Sequence, residues 1–281
     1  MTVVMYMRFV KMQGAGNDYV YVDCFKQPAP EDPSALAIEI SKPHTGVGAD
    51  GLILIEPCPD ADARMRIFNK DGSEGEMCGN GIRCVGKYLY DSGLARKKEL
   101  RVMTGGGLKL LQMLISGRKA VAARVDMGQM RFAPEDIPVN APDNVVDVTC
   151  LGHKLRFFCV NAGNPHAVTT DLFPEGEAFE RLGAALEVHP VFPKRANISF
   201  VKVLSRTQIQ ARIWERGSGA TQACGSGATA CVTALSVQGL TENAASVSLP
   251  GGELFIEYDP VSQHAFMTGP AVKVFEGKWD L

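Results

Sequence analysis

Apolar and polar positions along the chain alternate with two different periods, and the switches between them divide it into short strands and a few helices. Met7–Asp23 begins as an alternating strand, breaks at Gly14-Ala-Gly-Asn-Asp18 and resumes as Tyr19–Val22. A short helix is expected over 33–41, with Leu36, Ile38 and Ile40 turned partly inward. Gly51–Glu56 and Ala63–Phe68 read as apolar strands. A helix follows Cys78 to about Tyr90, where Gly93 stops it. Strands are expected at Glu99–Met103, Leu108–Ile115 and Ala120–Met127, with turns at Gly105–Gly107 and Gly117.

The second half follows the same plan. A strand at Leu155–Val160 leads to a loop at Asn164, and a helix covers roughly 177–187. Strands near 197–204 and 207–214 precede a helix from Cys224 to about Val237, with Gly239 as its stop. Ser246–Leu249 and Leu254–Tyr258 flank Pro250-Gly-Gly as a hairpin, and Ala265–Val274 is a last strand pair returning to the first half. The helix after Cys224 has almost no polar stripe: Ala228, Ala230, Cys231, Val232, Ala234, Leu235 and Val237 surround it. Such a helix is buried on most sides, so each sheet is expected to wrap around its central helix.

The likeness of the halves extends to single residues. Asn69-Lys-Asp-Gly-Ser-Glu-Gly-Glu-Met-Cys78-Gly-Asn-Gly reads like Glu215-Arg-Gly-Ser-Gly-Ala-Thr-Gln-Ala-Cys224-Gly-Ser-Gly. Both the cysteines and the residues nine positions ahead of them are offset by 146 (224 − 78 and 215 − 69). Ala15-Gly16-Asn17 recurs as Ala162-Gly163-Asn164, and Ala49-Asp50 as Ala196-Asn197, both at 147 (164 − 17 and 197 − 50). Anchors at one spacing and in one order indicate two homologous half-molecules. The expected fold is α+β, with two pseudo-symmetric lobes, 1–124 plus 270–281 carrying Cys78 and 125–269 carrying Cys224.

A chain of 281 residues can form two domains of ordinary size. Its formal net charge of −2 favours neither nucleic acid nor an anionic membrane as partner. No run of 18 apolar residues occurs, and Met1–Val10 lacks a signal-peptide core and cleavage site, so a cytoplasmic protein is expected. The eight cysteines show no C-x-x-C or Cys/His spacing for zinc, and no metal is expected. Cys84 and Cys231 fall six or seven residues inside the helices and read as buried, inert thiols.

For one cysteine a structural thiol is the ordinary reading. Cys78 and Cys224 differ in standing at Gly-flanked helix starts, in equivalent places of a duplicated scaffold. Free backbone N–H groups and the helix dipole stabilise a thiolate there. Two thiols converging on one carbon can remove a proton from one face and deliver one to the other, without metal or organic cofactor. Gly46-Val-Gly-Ala-Asp-Gly51 matches a dinucleotide fingerprint in letters only, since it precedes a strand instead of opening a helix. His166 reads either as a loop histidine or as part of the cleft, and Glu215-Arg216 either as a surface pair or as cleft lining. Asn17, Asn69, Asn164 and Asn197 are either turn formers or a polar lining that reads amino and carboxylate groups.

Taken together, these residues resemble the diaminopimelate epimerase family over nearly the whole chain. The likeness rests on Gly-x-Gly-Asn-Asp at 14–18, Gly-Val-Gly-Ala-Asp at 46–50, Phe-Asn-x-Asp-Gly-Ser at 68–73 and Met-Cys-Gly-Asn-Gly-x-Arg-Cys at 77–84. It continues with Asn-Pro-His at 164–166 and Trp-Glu-Arg-Gly-Ser-Gly with Thr-Gln-Ala-Cys-Gly-Ser-Gly over 214–227. The resemblance implies lobes that are each a mixed, barrel-like sheet around a central helix. It implies epimerisation of LL- to meso-diaminopimelate without pyridoxal phosphate, in lysine and cell-wall precursor synthesis, by a homodimer. Cys78 and Cys224 would be the acid/base thiols, with His166 and Glu215 biasing their pKa values. Gly79-Asn80 and Gly225-Ser226 would hold substrate through helix-start amides. Asn17, Asn69, Asn164, Asn197, Glu215 and Arg216 would bind the amino-acid groups, Arg216 by bidentate capture of a carboxylate. Many relatives carry glutamine where this chain has Gly51. The competing readings are a racemase for proline, hydroxyproline or histidine, and a thiol redox or amino-acid-binding protein.

Overall fold

A computed structural model of the chain describes residues 6–280. Residues 1–5 and 281, which the expected first lobe includes, lie outside the described residues. The chain divides into two compact units: one runs to Val125 and takes up the chain again at Gly269, and the other is Asp126–Thr268.

In the first unit, β1 (Tyr6–Gly14) and β2 (Asn17–Asp23) form a hairpin, followed by α1 (Pro33–Ser41), β3 (Gly51–Glu56), β4 (Ala63–Asn69) and the short β5 (Glu74–Gly75). Then come α2 (Gly79–Ser92), β6 (Glu99–Thr104), β7 (Gly107–Ser116) and β8 (Lys119–Gln129). The second unit holds β9 (Val145–Cys150), β10 (His153–Asn161), β11 (Pro165–Thr169), α3 (Gly176–Glu187), β12 (Asn197–Ser205), β13 (Gln208–Glu215) and β14 (Gly219–Ala220). It continues with α4 (Gly225–Val237), β15 (Ala244–Leu249), β16 (Gly252–Tyr258) and β17 (His264–Pro270). The last strand, β18 (Val272–Asp280), runs antiparallel to β1.

The pairings repeat between the units. β2–β3 and β11–β12 are parallel, β3–β4 and β12–β13 antiparallel, and β4–β6 and β13–β15 parallel. β18 lies on β1 as β9 lies on β10, so the final strand of the chain completes the sheet of the first unit. Each sheet carries helices on both faces. In β3, Leu52 and Leu54 join Phe9, Val20, Ala37 and Ile40 in an apolar cluster under α1. Ile53 meets α2 from the opposite face. A strand covered on both sides needs the unbroken apolar run that Leu52–Ile55 supplies. In the second unit α3 packs Phe179, Leu182 and Leu186 against Phe157, Ile198 and Phe200, while α4 contacts β10–β13, β15 and β16. This helix is buried at every position from Gly227 to Leu235, as its all-round apolar sequence requires.

The boundaries depart from the sequence reading at particular places. Ile38 is exposed on α1, and Ala37 takes the inward position beside Ile40, because alternation does not follow a helical face. β9 and β11 were not anticipated. β11 is only five residues long, begins with a proline and has a buried histidine second. Gly93 ends α2 in the left-handed conformation at φ 84°, in agreement with its expected role.

Phe200 is fully buried and packs edge-to-face on Phe179, which does the same with Trp214. Phe200→Ala is expected to cost about 3–5 kcal/mol. In the turn between β16 and β17, where Val261 is 93% exposed, Val261→Lys is expected to stay within about 0.5 kcal/mol. Urea unfolding of the two variants checks the contrast.

Candidate active site

Each unit begins its central helix with a cysteine as the cap. Cys78 has extended backbone angles (φ −133°, ψ 116°), and its Sγ accepts from the Gly81 N–H at 3.3 Å. Cys224 does the same (φ −116°, ψ 111°), accepting from the Gly227 N–H at 3.3 Å. Sulfur here fills the place that a serine or aspartate oxygen usually takes, satisfying one of the free N–H groups of the first turn. The second glycine of each Cys-Gly-x-Gly is a packing requirement. A Cβ at Gly81 would lie 2.7 Å from the Ile53 side chain, and one at Gly227 would lie 2.6 Å from Ile213. Gly79 and Asn80 are buried at the start of α2, Gly225 is buried at the start of α4, and Ser226 is partly open.

Around Cys78, the sulfur lies 3.4 Å from Asn17 Oδ1. Asn17 donates its amide to Asp50 Oδ2 at 2.6 Å, and the Asp18 N–H donates to the same oxygen at 3.1 Å. Burial raises the Asp50 carboxyl above the ordinary range, against the lowering effect of these donors. Tyr19 is buried beside them, its phenol pushed up by burial and by the neighbouring Cys78 and Asp50. Asn69 donates to Ser73 Oγ at 3.0 Å, holding the turn after β4. A Cβ at Gly51 would run into the Phe68 carbonyl oxygen, so a side chain there requires the backbone to move.

Around Cys224 the surroundings are closer. Only 5% of the residue is exposed, and burial followed by the Glu215 carboxylate pushes the thiol well above its ordinary value. Ser226 and the Gly227 N–H act in the opposite direction and do not prevail. The helix start alone would lead one to expect a stabilised thiolate, and here desolvation outweighs it. Glu215 accepts from Thr221 Oγ1 at 2.5 Å. His166 is fully buried. Its Nε2 lies 2.7 Å from Asn164 Oδ1 and 3.2 Å from Ser226 Oγ, and that hydroxyl is 3.5 Å from Cys224 Sγ. Burial, helped by Arg216, lowers the imidazole to about 3, so it is neutral at ordinary pH.

Asn197 is buried and bridges two loops, donating to the Pro165 carbonyl at 2.8 Å and accepting from the Arg216 N–H at 2.9 Å. The Arg216 side chain is exposed and donates to the Lys194 carbonyl at 3.2 Å. The structure thus gathers Asn17 with Cys78 in the first unit. In the second it gathers Asn164, His166, Asn197, Glu215 and Ser226 around Cys224, with Arg216 at the edge. Three residues of these networks escape the sequence reading. Asp50 stood in a repeat anchor, which was its signal. Thr221 lies between Glu215 and Cys224 without a counterpart motif. Glu187, at the end of α3, accepts from Trp214 Nε1 at 2.8 Å and from the Gly217 N–H at 3.0 Å, pinning the loop after Glu215. Nothing in its sequence context marks it.

Cys84 and Cys231 are buried within the helices, and burial raises them to about 11 and about 12. Among the described residues no group of three or more His, Cys, Asp or Glu side chains could hold a metal ion. Among them also, no helix is long and apolar enough to cross a membrane.

Comparison with known proteins supplies the family. Solved structures with this fold include a probable proline racemase from Agrobacterium radiobacter (TM-score 0.74, 16% identity, 98% of this chain and 93% of that one). Another is a hydroxyproline epimerase from Agrobacterium vitis (TM-score 0.71, 16% identity, 98% of this chain and 91% of that one). At such identity they speak for the fold alone, the sheet-dominated α+β architecture described above. Sequence relatives are much nearer. The diaminopimelate epimerase of Acetivibrio thermocellus is 49% identical over 98% of this chain and 99% of its own length. That of Agathobacter rectalis is 47% identical over 98% of this chain and the whole of its own. The diaminopimelate epimerase family profile matches residues 9–133 and 158–274, and the chain belongs to that family of isomerases.

Proposed function

We propose that the chain converts LL-diaminopimelate to meso-diaminopimelate by a two-thiol proton exchange at Cα, within lysine and peptidoglycan precursor synthesis in the cytoplasm. The observation that carries this reading is the matched capping geometry of Cys78 and Cys224 at the start of the two central helices. In one direction a thiolate removes the Cα proton while the other thiol donates to the opposite face, and the roles exchange in reverse. The chemistry moves protons only and consumes no oxidant or reductant. Glu215, next to Cys224, is the base that can take the proton of that thiol.

His166 acts by position in this reading. A buried neutral imidazole cannot serve as a cation for a thiolate, but it can hold Asn164 and Ser226 in place beside Cys224. Asn197 holds the backbone of Arg216, so the exposed guanidinium stands ready to pair with a substrate carboxylate. Diaminopimelate carries a charged group at each end, and a charged recognition set suits it better than proline. The reading includes a homodimer, for which Leu108, Leu110, Leu114 and Val121 offer an outward apolar face on β7–β8.

Cys78→Ala and Cys224→Ala are each expected to lower turnover of LL-diaminopimelate by about two to four orders of magnitude. Either variant keeping a near-wild-type rate contradicts the scheme, and turnover of proline in place of diaminopimelate contradicts the substrate.

The folded state keeps His166 neutral, with a pKa of about 3 against 6.5 for the free side chain. The unfolded chain therefore binds a proton that the folded one refuses as pH falls below 6.5. Stability from this group is complete above that value and declines as the pH drops toward 3. Between pH 7 and pH 5 the loss is expected to be about 2 kcal/mol. Urea midpoints of wild type and His166→Gln at both pH values check it: the variant should show a flatter dependence.

A further inference from the structure

The Asp50 carboxyl has no assigned part in the site, yet its contacts decide which end of the Asn17 amide faces Cys78. Asp50 Oδ2 receives two donors, Asn17 Nδ2 at 2.6 Å and the Asp18 N–H at 3.1 Å. As a carboxylate, Asp50 can only accept at that oxygen, so Asn17 presents its NH₂ group there. Its Oδ1 is thereby turned toward Cys78 Sγ, 3.4 Å away. Asp50 itself is tied down, since its N–H donates to the Asp18 carbonyl at 2.8 Å and its carbonyl accepts from the Lys70 N–H at 3.1 Å.

We propose that Asp50 is a positioning residue that locks the Asn17 amide and so holds Cys78 in its protonated form until substrate is bound. An oxygen facing the sulfur accepts a hydrogen bond from a thiol and is repelled by a thiolate. Rotation of the amide by half a turn would present N–H to the sulfur and favour the thiolate. The carboxyl of Asp50 opposes that rotation, because it would then face a carbonyl oxygen. The significance for catalysis rests on the reading of Cys78 as an acid/base thiol; the lock itself is a property of the first unit.

The counterpart in the second unit does not do this. Asn197 stands at the position of Asp50 and contacts Pro165 and Arg216, while Asn164, the counterpart of Asn17, lies on His166. The two thiols are thus held by different means, Cys224 by burial and Glu215, Cys78 through Asn17. Other charged or titratable groups also bear on Cys78. Tyr19 and Tyr21 reach it from β2, and the buried Arg83 and Cys84 from α2. Asp18 with its partner Lys11, and Lys70, lie beside Asp50. The cations Arg83, Lys70 and Lys11 favour the thiolate, the acids Asp18 and Asp50 oppose it, and Tyr19, Tyr21 and Cys84 carry no charge against it. The amide orientation is thus one of several influences and must be isolated by experiment.

The test follows alkylation of Cys78 by iodoacetamide against pH in the full chain without substrate, read by mass spectrometry of its peptide. Asp50→Asn can donate to the Asn17 oxygen and frees the amide to turn. Its midpoint is expected to fall by about one pH unit, a tenfold gain in thiolate below the midpoint. Loss of the Asp50 charge alone would act in the same direction, so the same change is made in Asn17→Ala. There the second substitution is expected to give only the smaller shift due to the lost charge, so the difference between the two backgrounds reads the lock. Asp50→Ser, which loses the same charge and also frees the amide, carries the test if the first variant fails to fold. An equal shift with and without Asn17, or no shift at all, overturns the lock. Turnover of LL-diaminopimelate by the wild type is assayed separately, so failure of the lock and failure of the proposed function are told apart.

Discussion

A hydrogen bond from a helix-start N–H to a cysteine sulfur, made once in each unit, fixes the rest of the site. Because the sulfur caps the helix, it cannot shift without the first turn shifting too. The helix in turn is sealed within a sheet: Ile53 and Met65 press on Gly81, and Ile213 presses on Gly227. The sulfur therefore sits at the end of a chain of close contacts that runs through the core of its own unit. A cap of this kind contributes about 1 kcal/mol when made by oxygen. Its value here lies in placement, since sulfur is a weaker acceptor than oxygen.

The duplicated scaffold does not give duplicated chemistry. Cys224 is sealed and has a carboxylate at its side, and both keep it a thiol. Cys78 is more open and meets an amide oxygen instead. The matched strands β2 and β11 show the same divergence, with Tyr19 in one and His166 in the other at an offset of 147 (166 − 19). Both are buried, and each sits beside the asparagine that precedes it by two residues. The proposed exchange, taking a proton on one side of a stereocentre and giving one on the other, calls for such inequality at any instant.

Much of this was legible in the chain itself. Repeat anchors at 146 and 147 marked both cysteines and all four asparagines, and the run Leu52–Ile55 announced an apolar strand. The all-apolar Ala228–Leu235 announced a central helix. What could not be read depends on which side chains meet in three dimensions. The helix-mouth argument expects a lowered thiol at Cys224, whereas burial and Glu215 raise it. The asparagines look alike in sequence but do different work: Asn17 faces a thiol, Asn164 an imidazole, and Asn197 two backbone groups. Glu187, which anchors the loop after Glu215, lies 28 residues upstream (215 − 187) and carries no local signature.

The central claim is that two separate groups, one from each unit, handle the two protons. Isotope labelling at early times in heavy water tests it most directly. Starting from LL-diaminopimelate, two thiols should place deuterium at Cα of the product while recovered substrate stays unlabelled. A single base serving both faces would return the abstracted proton, and product carrying substantial undeuterated Cα would contradict the account.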